Sequence, residues 1–239
     1  KLSPFSVNVC IVDEAHTLQE SYLVAKRRLQ QRFYEGFGHV LHTSKQVQLS
    51  TFDPLLTPTQ QQSLLNSLES LNIDAFQQIL QPLRHHYFEI EDVRVHLTSI
   101  LAQIRRFMLS YNLEENNSLV ENYKCLYRLI IEHPILYKIL EELTLFTSAL
   151  MQEVYSIQQQ QAASYVTQAK NYIESYYANY DLSLQTVASS LGINANYLST
   201  LFSKEEGESF NKYLQHVRMN KSTTLLSTSS NTIQEIAFQ

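Results

Sequence analysis

A chain of 239 residues, 44% hydrophobic and 17% charged, has room for one large domain or for two or three ordinary ones, and its composition suits a soluble globular protein. No apolar run reaches the ~18 residues of a membrane span and no signal peptide is visible, so the cytoplasm is the expected compartment. Four glycines and five prolines, set against abundant Leu, Gln, Glu and Ser, favour helices, and at a net charge of −5 the chain as a whole is not basic. The two cysteines, Cys10 and Cys125, stand far apart in apolar sequence and read as buried thiols rather than a structural disulfide.

Phe5 to Val12, FSVNVCIV, is a short apolar, β-branched run and reads as a buried strand. It leads into Asp13, Glu14, Ala15 and His16, an order that resembles the nucleotide site of DEAH-type helicases, where the acids engage magnesium and water. Such a site needs a glycine-rich phosphate cradle with Lys and Ser/Thr, and no G-x-x-x-x-G-K-[ST] occurs in the chain. An ATPase fragment is therefore a remote alternative, with no catalytic residues to support it. The Val-Asp-Glu order is also similar to the start of a receiver domain, but the repeated strand–helix alternation of that fold does not follow.

Thr17 to Phe37 is amphipathic, with Leu18, Tyr22, Ala25, Leu29 and Phe33 along one face, and Lys26, Arg27 and Arg28 read as a solvated face. The strand, the Ser21-Tyr22-x-x-Ala25 run and Arg32-Phe33-x-x-Gly36 together resemble the end of the degenerate GGDEF-like module of YesN-type AraC regulators. That likeness implies a packing unit without cyclase chemistry. His39 to Leu56 is polar, with an alternating QVQLSTF, and reads as a linker or edge strand. Residues 1–56 are expected to be a remnant of that α/β module with its linker.

Thr57-Pro58 opens a helix with an N-cap followed by proline, and Leu64, Leu65, Leu68 and Leu71 give it an apolar stripe. Asn72-Ile73-Asp74 breaks it. Asp74 is placed to cap a second helix through Phe76, Ile79, Leu80 and Leu83, which Pro82 should bend or end. His85-His86 beside Glu89, Glu91 and Asp92 have the residue types of a metal site. Adjacent histidines on a helix point about 100° apart and chelate poorly together, so a polar turn is the better reading and no metal or cofactor is expected. Glu89 to Leu113 repeats Val93, Leu97, Ile100, Leu101, Ile104, Phe107 and Met108 at helical spacing and reads as a core helix. Leu119 to Glu132 and Ile135 to about Ala163 read as two further helices, whose apolar faces either close a bundle or expose a stripe to a partner subunit. Residues 57–163 are expected to form a helical linker or dimerisation region.

Val166 to Tyr180 carries Ala169, Tyr172, Ile173 and Tyr176 on one face. Leu184, Val187, Ala188 and Leu191 follow at helical spacing, Gly192 can take the positive φ that turns the chain, and Asn194 stands where an N-cap is wanted. The next helix buries Leu198, Leu201 and Phe202 and leaves Asn196, Ser199, Thr200 and Ser203 facing outward. Two short helices about a tight turn, with a polar outer face, can enter the DNA major groove. The run from Ser183 through Gly207 to Leu226 resembles the first helix-turn-helix and linker helix of AraC-type transcription regulators. The likeness rests on Leu-x-x-Val-Ala-x-x-Leu-Gly, Tyr-Leu-x-x-Leu-Phe, Lys204 and Gly207, then on Phe210, Tyr213, Leu214 and Arg218. Asn231 to Ala237 matches the first helix of a second such unit, whose turn and recognition helix would lie beyond Gln239.

The resemblance implies a mainly α chain: the small α/β remnant, the helical region, and a DNA-binding domain over 164–239 with its first helix-turn-helix complete and its second truncated. It implies a non-enzymatic, sequence-specific transcription regulator that binds double-stranded DNA as a homodimer. This would be the output part of a two-component response regulator, with a receiver or sensor domain upstream and outside this chain. Helix 195–204 would read the major groove through Asn196, Ser199 and Thr200, with Ser203 on the same outer face. Asn bonds an adenine edge in bidentate fashion, and the Thr methyl can meet a thymine methyl. Lys204, the Ser183 hydroxyl and the helix N-terminus at Asn194 are the phosphate contacts implied. Charge argues the other way: from Ser164 on there are five Lys/Arg (Lys170, Lys204, Lys212, Arg218, Lys221) and six Asp/Glu (Glu174, Asp181, Glu205, Glu206, Glu208, Glu235). The rival reading is a helical interaction scaffold whose helix-turn-helix only packs.

Overall fold

The structure, a computed structural model, describes residues 8–12, 17–44 and 48–228. The Asp13–His16 run and the Asn231–Ala237 segment lie outside the described residues. The chain divides into two compact units, Lys1–Val154 and Tyr155–Gln239, and is mainly α.

The first unit opens with strand β1 (Val9–Ile11), helix α1 (Leu18–Gln30), the single turn α2 (Arg32–Glu35) and strand β2 (Val40–His42). β1 and β2 pair in parallel, Val9 beside Val40 and Ile11 beside His42, which requires the helical crossover between them. β1 is not buried: Val9 and Ile11 are exposed, as are Leu18 and Tyr22 on α1. The second strand precedes the alternating QVQLSTF segment, whose described residues carry no strand. Arg28 departs most from expectation. The crossover lays α1 over the end of β2, so Arg28 is buried, its Nε donating to the His42 carbonyl at 3.1 Å and its Nη1 paired with Glu35 at 3.2 Å. Lys26 and Arg27 do face solvent. Neither thiol is buried: Cys10 is half-buried on the open strand, and Cys125 is exposed, off the stripe of Leu119, Leu126 and Ile130.

The helical body follows: α3 (Pro58–Glu69), α4 (Ile73–His85), α5 (Ile90–Ser110), a 3-10 turn (Leu113–Glu115), α6 (Asn117–Glu132) and the first part of α7 (Leu136–Tyr176). Thr57 and Gln60 form a reciprocal capping box ahead of Pro58. α3 ends with Leu71 in the left-handed region, the Leu71 N–H on the Leu68 carbonyl and the Asn72 N–H on the Ser67 carbonyl. That cap makes Asn72, not Asp74, the N-cap of α4, accepting from the Ala75 N–H at 3.0 Å. Pro82 lies in the last turn and the helix runs on to His85, since only one backbone bond near its end is forfeited. α3 packs on α4 and α5, and α5 on α6. Leu68, Phe76, Leu80, Leu97, Ile100 and Ile104 are fully buried, each worth roughly 1.5–3 kcal/mol of transfer free energy. Arg94 donates to the Ile130 and His133 carbonyls and so satisfies the C-terminal end of α6.

The two helices expected over Ile135–Ala163 and Val166–Tyr180 are one helix of 41 residues, α7. No Gly or Pro interrupts it, and the glutamines at 158–161 are good helix formers. Its first part lies in the first unit and its last part in the second. No helix among the described residues is long and apolar enough to cross a membrane.

Candidate nucleic-acid interface

The second unit combines the end of α7 with α8 (Leu184–Ser190), α9 (Ala195–Glu206) and α10 (Phe210–Thr228). Ala169 and Ile173 from α7, Val187 and Ala188 from α8, and Leu198, Leu201 and Phe202 from α9 share one core with Phe210, Leu214 and Val217 from α10. Phe202 is fully buried, with the rings of Phe210 and Tyr213 edge-on at 5.6 and 5.3 Å. The inner side of α9 is thereby fixed, and its other residues are left to face out.

The turn between α8 and α9 is set by backbone chemistry. Gly192 has φ 70°, its N–H donates to the Ser189 carbonyl at 3.2 Å, and the Ile193 N–H donates to the Ala188 carbonyl at 3.0 Å. This pair of bonds is a Schellman motif, which satisfies the last carbonyls of α8 and needs a residue at ease with positive φ. Asn194 then caps α9, its Oδ1 accepting from the Asn196 N–H at 2.8 Å. Ser183 caps α8 in the same way, accepting from the Thr186 N–H at 3.2 Å, with its hydroxyl also 2.8 Å from Thr186 Oγ1. α9 ends at Gly207, φ 72°, whose N–H closes on the Ser203 carbonyl.

Asn196, Thr200, Ser203 and Lys204 are exposed along α9, and Ser199 is half-buried. The Asn196 side-chain amide and the Ser203 hydroxyl have no hydrogen-bond partner among the described residues. Thr200 donates its hydroxyl proton to the Asn196 carbonyl at 3.0 Å, which leaves its lone pairs and methyl facing out. Ser183 and Asn194 are exposed, one at the start of each helix. Tyr197 belongs with them. It is 47% exposed, its ring 6.5 Å from that of Tyr165. Its spacing to Thr200 and Lys204, three and seven residues, is the signal that puts it on the outer face.

The unit's cations are largely spent internally. Lys170 Nζ is 3.1 Å from Glu206, Lys221 is 3.0 Å from Glu174, and Lys212 is 3.7 Å from Glu208. Hydrogen bonds to these carboxylates hold Lys170 and Lys221 above the ordinary lysine range. Arg218 donates through Nε to the Tyr177 carbonyl and through Nη2 to the Asn179 carbonyl, both at 2.8 Å, tying α10 to the chain just past α7. Of the five basic side chains, Lys204 alone has no partner among the described residues. In the first unit His85 Nε2 lies 2.9 Å from Gln81 Oε1, and no group of three or more His, Cys, Asp or Glu among the described residues could hold a metal ion.

Residues 187–239 match the family described as "Helix-turn-helix domain". Over 68 residues the chain is 38% identical to the "Uncharacterized HTH-type transcriptional regulator YijO" of Escherichia coli (strain K12), a stretch covering 28% of this chain and 24% of that protein. The chain thus spans about a quarter of the length of the curated relative it matches. No solved structure matches. The chain is mainly α-helical and carries an AraC-type helix-turn-helix domain at residues 187–239.

Proposed function

We propose that this chain is a sequence-specific, non-enzymatic transcription regulator of the AraC family, with α9 as the helix that enters the major groove. The observation that carries the reading is the outer face of α9, where Asn196, Thr200, Ser203 and Lys204 stand exposed on a helix fixed by Gly192 and Asn194. Asn196 meets an adenine edge, Ser199 and Thr200 the neighbouring bases, and Lys204 and the helix starts at Ser183 and Asn194 meet phosphates. The relative from Escherichia coli, a regulator by name, supports the same class.

The finer reading is the output part of a YesN-like response regulator that acts as a homodimer. The small α/β module at β1–β2 supports the first half, and the exposed Tyr127, Ile131 and Leu145 on α6 and α7 support a partner subunit. In this reading a phosphorylated receiver or a membrane sensor changes how two DNA-binding modules are presented. A mobility-shift assay against a pool of random duplexes tests the function. Retarded duplex at micromolar protein is the expected result, and an unshifted pool would return the chain to the class of helical scaffolds.

A further inference from the structure

A second site of interest lies in the first unit. It is a cleft of about 750 Å³ between the C-terminal half of α4 and the start of α7. That volume lies in the range of small-molecule sites. Its floor is apolar, with Leu83, Leu136 and Leu140 all buried. Its walls are aromatic: Tyr34 and Tyr87 lie 4.9 Å apart, and Tyr137, 63% exposed, lines it as well. Tyr34 is pinned, because its hydroxyl donates to the Phe88 carbonyl at 2.7 Å and accepts from the Phe88 N–H at 2.9 Å. It therefore offers a ring rather than a hydroxyl.

The charges in the cleft are one-sided. Arg84, His85 and His86 line one end, and the single acid in the lining, Glu141, is taken by Lys138 at 2.8 Å. Arg84 has no ion-pair or hydrogen-bond partner among the described residues. The dipole of α4 accounts for a cation in its last turn, but not for a partnerless guanidinium fork beside a tyrosine-lined cleft. We propose that this cleft binds a small amphipathic anion, an aromatic or apolar body bearing a carboxylate or sulfonate. The body lies against Leu140 and the tyrosine rings, and the anion is held by Arg84.

The chain contains no tryptophan, so Tyr137→Trp places a single indole at the cleft. The full chain with this substitution is titrated with anilinonaphthalene sulfonate, an aromatic anion, while the indole emission is followed. Saturable quenching is expected, weakened about tenfold when Arg84→Glu is added and unchanged when Arg106→Glu, an equal change of net charge at an exposed site elsewhere, is added instead. Absence of quenching, or equal affinity in the Arg84→Glu and Arg106→Glu proteins, would overturn the assignment. Arg84 and Tyr137 are both exposed, so neither substitution threatens the fold.

Discussion

Lys170 places its Nζ 3.1 Å from both carboxylate oxygens of Glu206, which joins α7 to the last turn of α9 and withdraws one of the few cations of the second unit. The same withdrawal recurs at Lys221 and Lys212, so the electrostatic share of any DNA affinity falls mainly on Lys204.

Salt dependence reads this arrangement directly. Each neutralised phosphate contributes about −0.9 to the slope of log affinity against log salt. Lys204→Ala is expected to make the slope shallower by about 1, and Lys170→Ala to leave it unchanged while lowering the stability of the unit. Anisotropy titrations between about 50 and about 200 mM salt measure both. A shallower slope for Lys170→Ala would show that its ion pair opens on DNA.

The α8–α9 turn makes a separate prediction. A Cβ at Gly192 meets nothing within 4 Å, so the cost of substitution is purely that of positive φ. Gly192→Ala is expected to destabilise by about 1 kcal/mol, and Gly192→Asn by less, because Asn tolerates the left-handed region. Urea denaturation midpoints decide the order, and a midpoint for Gly192→Ala equal to that of the parent would contradict the account.

His96 gives the first unit a dependence on pH. It is 3% exposed, edge-on to Phe52 at 5.1 Å, with Nδ1 3.3 Å from the Pro54 carbonyl. Burial holds its pKa below the ordinary value, and the Pro54 carbonyl and Asp53 offset that only in part. The unfolded chain then binds the proton more tightly than the folded one. Stability is therefore full above about pH 6.5 and falls as pH drops below it. The Tm should fall further between about pH 7.5 and about pH 5 in the parent than in His96→Gln. Parallel falls in the two proteins would remove His96 as the cause.

Which parts of this fold the sequence discloses follows from the range of the forces involved. Caps and turns are local, so Gly192 and Asn194 declare themselves by residue type, and the stripe of Leu198, Leu201 and Phe202 declares the inner face of α9; the capping role of Ser183 emerges only with the structure. Arg28 could not be placed from its neighbours in sequence, because its partners, the His42 carbonyl and Glu35, arrive only when the crossover closes. Tyr197 is not placed by its residue type, because a tyrosine packs with its ring and faces water with its hydroxyl; its spacing to Thr200 and Lys204 is what puts it on the outer face. The unbroken α7 was hidden by a polar glutamine run that lacks apolar periodicity yet favours helix. The cleft beside Arg84 draws on three separated segments and leaves no local pattern.

Selection of bound duplexes from a random library, run in parallel with the parent chain and Asn196→Ala, tests the central claim most directly. The parent is expected to enrich a defined site, and Asn196→Ala to lose preference at one adenine position, at a cost of about 1–3 kcal/mol there, with the rest of the site kept. Enrichment of the same site with the same preferences by both proteins, or no enrichment by the parent, would contradict the account of α9 as the reading helix.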